Sequence, residues 1–282
     1  MTGDPPTIIR AFLGPFFRLL GAVAQLGERL VRNEEVRGSI PLSSTNRTVV
    51  IPSAPGDLGG PMRIRKRHPT PAELGLTPEE GRVLSVLTTP QHIQEFVVGL
   101  HANFEEEGDT LRSVRGVLRH RRAHCIEGAF VAACALWLQG EPPLIMDMTA
   151  KGDSDHVIAI FRRHGCWGAI SKSNHVWLRW RDPVYRSLRE LAMSYFHEYT
   201  NRHRKTLRTY SRPVGLDRFP IDMWITNEED CWDVGAALDD VRHYRLITPA
   251  QARRLMPRDA TELRADDLVQ YESRDRRRAR RY

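Results

Sequence analysis

The stretch that most constrains the fold is residues 126–138, where nearly every position is small or apolar. A helix at the surface of a protein needs a polar face, and this run offers almost none. It therefore predicts a central helix that is buried on most of its surface. Five small residues in the run would let neighbouring elements approach closely: Gly128, Ala129, Ala132, Ala133 and Ala135.

Cys125 stands directly before this run, at the predicted start of the helix. The first turn of a helix carries unpaired N–H groups and the positive end of the helix dipole, and both stabilise a thiolate. With a histidine nearby, a cysteine in this position is typical of a catalytic nucleophile. The ordinary alternative is that Cys125 is a small residue of the hydrophobic core.

A histidine begins the second informative segment. Residues 156–161 form a continuous apolar run that starts on His156 and follows the polar turn 151–155, a pattern typical of a buried strand. A histidine on the first residue of such a strand lies at the rim of a sheet, where it can face a cleft. We therefore predict that His156 is the general base for Cys125, and the alternative is an exposed strand end.

In their order along the chain, these segments resemble one known family. A helix that begins with Cys125, a strand, a strand that begins with His156 and a further strand around Trp167 resemble the transglutaminase-like branch of the papain-like thiol enzymes. The match covers residues 119–182, about a quarter of the chain. The resemblance implies a papain-like fold with Cys125 as nucleophile and His156 as base. It also implies a peptide, protein or other amide substrate.

The third catalytic position departs from the family pattern. Where the family has an aspartate shortly after a tryptophan, in the strand that follows the histidine, this chain has Ser171. A serine can orient an imidazole by a hydrogen bond, but it stabilises the charged ring less than a carboxylate does. Asn174, in the amide role of papain-like enzymes, and Asp182, a more distant carboxylate, are the alternatives to Ser171.

The other cysteines do not complete this site. Cys134 follows Cys125 by nine positions, which places it on the opposite face of the helix and in the core. Four scattered cysteines, including Cys166 and Cys231, do not form a disulfide framework, and this favours a reducing cytoplasm.

A metal site is a weaker interpretation of the histidines. His120 and His124 are four residues apart, a spacing that would put both on one helical face. No downstream Glu or His completes a recognisable zinc pattern. We therefore predict neither a metal nor a cofactor.

Residues 21–45 read as something other than a protein domain. Reverse translation gives a sequence that resembles a transfer RNA gene. Residues 23–29 can be written GTA GCT CAG CTG GGA GAG CGC, like a D-arm, and residues 38–41 GGT TCG ATC CCC, which contains a T-loop. An open reading frame that begins upstream of the true start would contain such a stretch. We expect synthesis to begin near Met62 and residues 1–61 to be a spurious or disordered extension.

A secretory signal is the alternative for residues 8–26, which are partly apolar. However, Asp4 precedes the segment, Arg10 and Arg18 interrupt it, and its apolar run is too short to span a bilayer. We therefore expect no membrane association.

The formal net charge of +7 is concentrated at the C-terminus. Residues 272–282 hold six basic and two acidic side chains and are typical of a basic disordered tail. Such a tail attracts nucleic acid only in a salt-dependent, non-specific way, and no nucleic-acid-reading motif accompanies it. The pattern argues against a nucleic-acid partner and gives no indication of the oligomeric state.

Residues 62–271 remain, enough for one transglutaminase-like domain with a sizeable core. The apolar spacing predicts helices and strands in an α+β fold, with helices packed on a mainly antiparallel sheet. We expect a cytoplasmic bacterial thiol enzyme that acts through an acyl-cysteine intermediate. The alternative is a catalytically silent binding module of the same fold.

Besides the two segments above, the predicted elements are helices over 91–104, 187–199 and 231–241 and strands over 143–148 and 206–210.

Overall fold

The computed structural model describes residues 68–201 and 204–272. Three expectations lie outside the described residues: the extension over residues 1–61, the start near Met62, and the basic tail beyond Glu272. Where the chain is described, the fold is α+β with a mainly antiparallel sheet, as predicted.

The helices of the described chain are mostly short, and one of them is long and central. Several begin at a Ser, Thr or Asp whose side-chain oxygen accepts a hydrogen bond from the first turn, the usual way in which a helix start is satisfied. In chain order the α-helices are α1 (Pro78–Ser85), α2 (Pro90–Gly99), α3 (Val114–His120), α4 (Cys125–Leu138), α5 (Leu188–Met193), α6 (Ile221–Trp224), α7 (Trp232–Asp239), α8 (Pro249–Arg253) and α9 (Ala260–Ala265).

The strands form one large sheet and one small pair. They are β1 (His101–Ala102), β2 (Arg122–Ala123), β3 (Leu144–Ala150), β4 (His156–Arg163), β5 (Cys166–Ile170), β6 (Arg181–Tyr185), β7 (Leu207–Ser211), β8 (Val214–Gly215) and β9 (His243–Arg245). Two 3₁₀ turns, Val176–Leu178 and Leu216–Arg218, lie between them.

The large sheet has seven strands in the order β6-β5-β4-β3-β7-β9, with β8 paired to the first residues of β3. All of its pairings are antiparallel. Since β4 and β5 run in opposite directions, the start of β4 and the end of β5 lie at the same edge. The small pair joins β1 to β2 in parallel, directly before α4. The start of α4 and this edge of the sheet therefore position the site.

Helix α4 lies at the centre of the molecule, as its composition predicts. Residues 126–136 are all buried, and the helix packs on β4 and contacts α1, α2 and α3. Gly128 permits the closest approach, because a Cβ added there would lie 2.4 Å from the Cβ of Lys172. The chain that leaves β5 therefore passes directly over the first turn of α4.

The two faces of the sheet contact different hydrophobic clusters. Alternate residues of a strand point to opposite faces. Ile145 and Val157 face the cluster around α4, while Met146 and Ile158 face the cluster that contains Tyr195. Each cluster is contiguous, and together they bury both faces of β3 and β4.

The predicted elements exist, but several are shorter than expected. The helix expected over 91–104 ends at Gly99, because Leu100 adopts an extended backbone and β1 follows. The helix expected over 187–199 ends at Met193, although Tyr195 and Tyr199 beyond it remain buried. The strands near 143–148 and 206–210 and the helix near 231–241 are confirmed with shifts of one or two residues.

Within the part of the chain that the structure describes, every helix falls short of the length and apolar character that a bilayer span requires.

Candidate active site

Cys125 is the first residue of α4, as predicted. His124 precedes it with an extended backbone, and the first helical hydrogen bond joins the Gly128 N–H to the His124 carbonyl at 2.9 Å. The Cys125 N–H belongs to the first turn, where amides lack an acceptor inside the helix. Cys125 is half-buried, and its sulfur lies 3.9 Å from the Asp155 carbonyl oxygen, next to the start of β4. The thiol therefore lies where the helix start meets the sheet edge.

His156 begins β4 at this edge, and only 5% of its surface is exposed. Its Nε2 lies 2.7 Å from Ser171 Oγ and 3.2 Å from the Leu178 carbonyl oxygen. The Ser171 hydroxyl donates to the same carbonyl at 2.8 Å, so its oxygen is left to accept from the ring. Nε2 is therefore the protonated nitrogen, and Nδ1 is left for the interaction of His156 with Cys125.

Of the three residues considered for the third position, Ser171 is the one that contacts His156. Asn174 uses its side-chain amide on the backbone of Tyr271, with two hydrogen bonds of 2.9 Å. Asp182 accepts a hydrogen bond from the Trp180 indole on β6. Ser171 is itself held at the end of β5 by Gln94, whose side chain bonds the Ser171 N–H and carbonyl at 2.9 and 3.0 Å.

A second histidine, His124, lies beside the thiol. Its Nε2 donates to the Thr110 carbonyl at 2.9 Å and lies 3.5 Å from Glu127 Oε1 and 3.7 Å from Glu105 Oε1. Its side chain also interacts with Cys125, the next residue in the chain. His124 therefore lies between the sulfur and two carboxylates.

Glu127 is fully buried one turn into α4, with 0% of its surface exposed. Its carboxylate accepts from Asn103 Nδ2 at 3.1 Å, the Thr110 hydroxyl at 3.0 Å, the Arg112 N–H at 2.9 Å and the His124 N–H at 3.0 Å. These contacts connect the loop between β1 and α3 to the start of α4. They fix the backbone that presents Cys125.

Glu105 completes the acidic side of the site. Its backbone has a φ of +52°, a left-handed conformation uncommon for this residue type, and its Oε1 accepts from the Thr110 N–H at 2.8 Å. Burial raises the pKa of the Glu105 carboxyl, and the positive charge of His124 opposes this. The loop thus holds a second carboxyl at the His124 ring.

The surroundings change the protonation of both Cys125 and His124. Burial alone would raise the pKa of the Cys125 thiol, but hydrogen bonds and positive charge from His124 and His156 outweigh it and lower the pKa to about 5. Burial alone would lower the pKa of His124, but the hydrogen bond to Cys125 and the charges of Glu127, Cys125 and Glu105 raise it to about 10. Near neutral pH the pair is therefore a thiolate and an imidazolium.

The thiol opens into a cleft with a volume of about 270 Å³. Its wall combines polar side chains from the β1–α3 loop, the sheet edge and the segment after β5, including Asn103, Lys172, His175 and Tyr199. The Tyr199 ring lies 6.2 Å from that of His156, and its hydroxyl donates to the Ser154 carbonyl. A small acyl group or an extended peptide side chain can reach the sulfur from this cleft.

The remaining cysteines lie away from the cleft. Cys134 is fully buried in the core, as predicted, and burial raises the pKa of its thiol. Burial also raises the pKa of Cys231, while Cys166 is half-buried at the start of β5. All four cysteines are free thiols.

The idea that His120 and His124 share a helical face is wrong. Helix α3 ends at His120, Arg121 then adopts a left-handed backbone with φ of +55°, and β2 separates the two histidines. Over residues 68–201 and 204–272, no three His, Cys, Asp or Glu side chains are arranged to hold a metal ion.

Sequence reasoning missed the roles of His124 and Glu127. The sequence patterns predict at most a metal-ligand role for His124 and assign no role to Glu127. The available signal was Glu127 itself, a single charge inside a buried helix and three residues after the helix-capping position. A buried carboxylate in such a place needs several hydrogen-bond donors, and the site provides them.

The chain matches no family model and no curated protein.

Proposed function

We propose that this protein is a cytoplasmic thiol enzyme with a papain-like, transglutaminase-like fold, which cleaves an amide or peptide bond through an acyl-Cys125 intermediate. The observation that carries the proposal is the position of the Cys125 thiol, which lies at the start of a buried helix and lines a cleft together with a histidine that Ser171 orients. The lowered pKa of this thiol agrees with that position. Such an environment is typical of activated nucleophiles and much less so of structural cysteines.

The proposed reaction has two steps. The Cys125 thiolate attacks the substrate carbonyl carbon and a C–S bond forms. His156, which takes up a second proton from solvent at Nδ1, gives that proton to the leaving amine as the C–N bond breaks. In the second step, His156 takes a proton from water or from a second amine. The deprotonated water or amine attacks the thioester carbon, the C–S bond breaks, and Cys125 is released as the thiolate. Water gives hydrolysis, and an amine gives transfer. The Cys125 N–H in the first turn of α4 stabilises the oxyanion.

The arrangement of the elements supports the fold assignment. The nucleophile begins a central helix, the base begins an adjacent strand, and the third residue follows the next strand. This is the order that the resemblance implies. The free state of all four cysteines supports a reducing compartment.

An activated ester tests the nucleophile without knowledge of the natural substrate. The full-length protein is treated with p-nitrophenyl acetate, the release of p-nitrophenolate is followed, and the acetylated residue is located by peptide mass spectrometry. We expect a burst of p-nitrophenolate and one acetyl group on Cys125. Addition of a primary amine then shows whether the acyl group passes to an amine or to water.

Two variants control this experiment. Cys125→Ala should abolish both the burst and the acetylation, whereas Cys166→Ala, which removes a half-buried thiol far from the cleft, should retain them. A burst that survives in Cys125→Ala, or acetylation that favours Cys166, contradicts the proposal.

A catalytically silent binding module is the second candidate, and one observation favours it. The histidine is braced by the neutral Ser171 hydroxyl where the family has a carboxylate. A protein of this kind would lack the acetyl-Cys125 intermediate but keep the cleft.

A further inference from the structure

We infer that His124, held in place by the buried Glu127, is the side chain that stabilises Cys125 as the thiolate. His156 then serves as the group that transfers protons during the reaction. The inference rests on the proposed function in taking Cys125 as the nucleophile. The positively charged partner of the thiolate is then His124, which lies outside the Cys125–His156 pair that the resemblance implies.

The His124 ring lies among groups that favour its positively charged form. Its Nε2 faces three oxygens, namely the Thr110 carbonyl at 2.9 Å, Glu127 Oε1 at 3.5 Å and Glu105 Oε1 at 3.7 Å. A nitrogen that faces only acceptors has to donate. The ring also interacts with Cys125. The carboxylates of Glu127 and Glu105 on one side and a thiolate on the other both favour the positively charged ring.

Glu127 is the carboxylate that makes this arrangement rigid. It is fully buried, and four donors point at it from the loop and from the helix start. Donors of this kind suit an ionised carboxylate, which only accepts. One of the four is the N–H of His124, so the same side chain fixes the backbone and faces the ring of that residue.

Among the described residues, no carboxylate contacts Nε2 of His156, the nitrogen that Ser171 orients. Its Nε2 meets the Ser171 hydroxyl and the Leu178 carbonyl, both of them neutral. The rings of Tyr195 and Tyr199 lie 6.4 and 6.2 Å away. These groups orient the imidazole and place only neutral partners at Nε2.

Other charged groups also act on the pair. The Arg112 guanidinium lies 3.8 Å from Glu127 Oε1, with 22% of its side chain exposed. On the sheet side the carboxyl of Asp155 and the hydroxyl of Tyr199 interact with Cys125, and His156 faces it from β4. Once ionised, the Asp155 carboxylate on the sheet side opposes a thiolate, so the cations have to offset it. The His124 ring has the carboxylates of Glu127 and Glu105 at 3.5 and 3.7 Å, which favour its positive charge.

The pH dependence of alkylation separates the two histidines. The rate of Cys125 modification by iodoacetamide is measured between pH 4 and 10, at about half-unit steps, in full-length wild type, His124→Gln, Glu127→Gln and His156→Gln. We expect the wild-type rate to reach its plateau well below the ordinary thiol range. In His124→Gln the midpoint should rise, so that the rate at pH 6 falls about tenfold or more, since one pKa unit is a factor of ten.

Two further comparisons make the assignment specific. His156→Gln should shift the midpoint less than His124→Gln does. Glu127→Gln should also raise the midpoint, but in the double variant with His124→Gln it should add little, because Glu127 acts through His124. A midpoint that rises in His156→Gln but stays unchanged in His124→Gln overturns the inference and leaves the proposed function intact. A wild-type midpoint in the ordinary thiol range contradicts the activated nucleophile itself.

A measurement on the intact histidine covers the case in which His124→Gln does not fold. The imidazole titrations are followed by NMR in wild type and in Cys125→Ser. If His124 pairs with the thiolate, its titration moves to lower pH when the sulfur charge is removed. An unchanged His124 titration overturns the inference.

Discussion

Ser171 bridges the His156 ring and the Leu178 carbonyl, and its hydroxyl determines which nitrogen of the ring carries the proton. Only 1% of Ser171 is exposed, so its two hydrogen bonds are shielded from water. Loss of a buried hydrogen bond of this type costs about 1 kcal/mol and leaves its partner free to rotate. The serine is therefore a positioning residue for His156.

Substitution of Ser171 tests this role. Ser171→Asp places a carboxylate at the ring, which favours the imidazolium and should preserve or raise the reactivity of Cys125 towards iodoacetamide. Ser171→Ala should lower the burst rate with p-nitrophenyl acetate about fivefold, since the hydrogen bond that orients His156, worth roughly 1 kcal/mol, is lost. Iodoacetamide needs no proton transfer, so alkylation of Ser171→Ala should change little. A large loss of alkylation in folded Ser171→Asp would show that Ser171 has another function.

Helix α4 and the segment after β5 are in contact through a glycine. At Gly128 an added Cβ would lie 2.4 Å from the Lys172 Cβ and 3.3 Å from Val97 Cγ1. Lys172 is 2% exposed, and its ammonium group donates to the carbonyl oxygens of Leu100 and Val98 at the end of α2. Burial lowers the pKa of Lys172 to about 8. The contact therefore joins α2, α4 and the residue next to Ser171.

Gly128→Ala should separate these elements. Alanine is the better helix former by about 1 kcal/mol, but the overlap with Lys172 exceeds this and we expect a net loss of about 1–3 kcal/mol in the free energy of unfolding. The loss is measured by urea denaturation. Gly99→Ala is the matched control, because an added Cβ at the end of α2 meets nothing within 4 Å. Equal stability of the two variants would mean that α4 and the Lys172 segment can shift apart freely.

Beside the site, the fold buries a group of acidic side chains that makes its stability depend on pH. Burial and the negative charge of Asp147 raise the pKa of Asp155 to about 7. One oxygen of this carboxyl accepts from the Ala150 N–H at 2.7 Å, and the other is buried without a hydrogen-bond partner among the described residues. His243 faces Asp147 at 3.0 Å, and the pairing raises its pKa against the effect of burial. The Asp155 carboxyl is therefore neutral in mildly acidic solution.

The sign of this linkage gives a prediction. A carboxyl whose pKa is higher in the folded state stabilises the fold below its unfolded pKa, and this contribution is lost as the pH rises through about 7. Asp155→Asn cannot ionise, so its free energy of unfolding relative to wild type should increase by about 1–3 kcal/mol between pH 4 and pH 8. Urea denaturation across this range measures the difference. The exposed Asp182→Asn should show no such trend, and a flat difference for Asp155→Asn would contradict the buried acid.

Much of the site follows from local patterns, and the rest depends on long-range contacts. The apolar run after Cys125 and the run that starts on His156 are local signals, and they correctly indicate the central helix and the strand at its edge. The contact between Ser171 and His156 agrees with the position inferred from the resemblance. The bonds of Glu127 to Asn103 and Thr110 depend on the path of the β1–α3 loop, which no periodicity encodes. Helix ends such as Gly99 were missed because the apolar spacing continues past them.

The isolation of Cys125 from the other cysteines has a consequence for oxidation. A thiolate open to a cleft is the form that peroxide converts to a sulfenic acid, and a nearby thiol normally rescues it by forming a disulfide. Here Cys134 lies on the far side of α4 and Cys166 at the opposite end of β5 from Ser171. An oxidised Cys125 therefore has no resolving partner in the described chain. Its recovery depends on thiols small enough to enter a cleft of about 270 Å³.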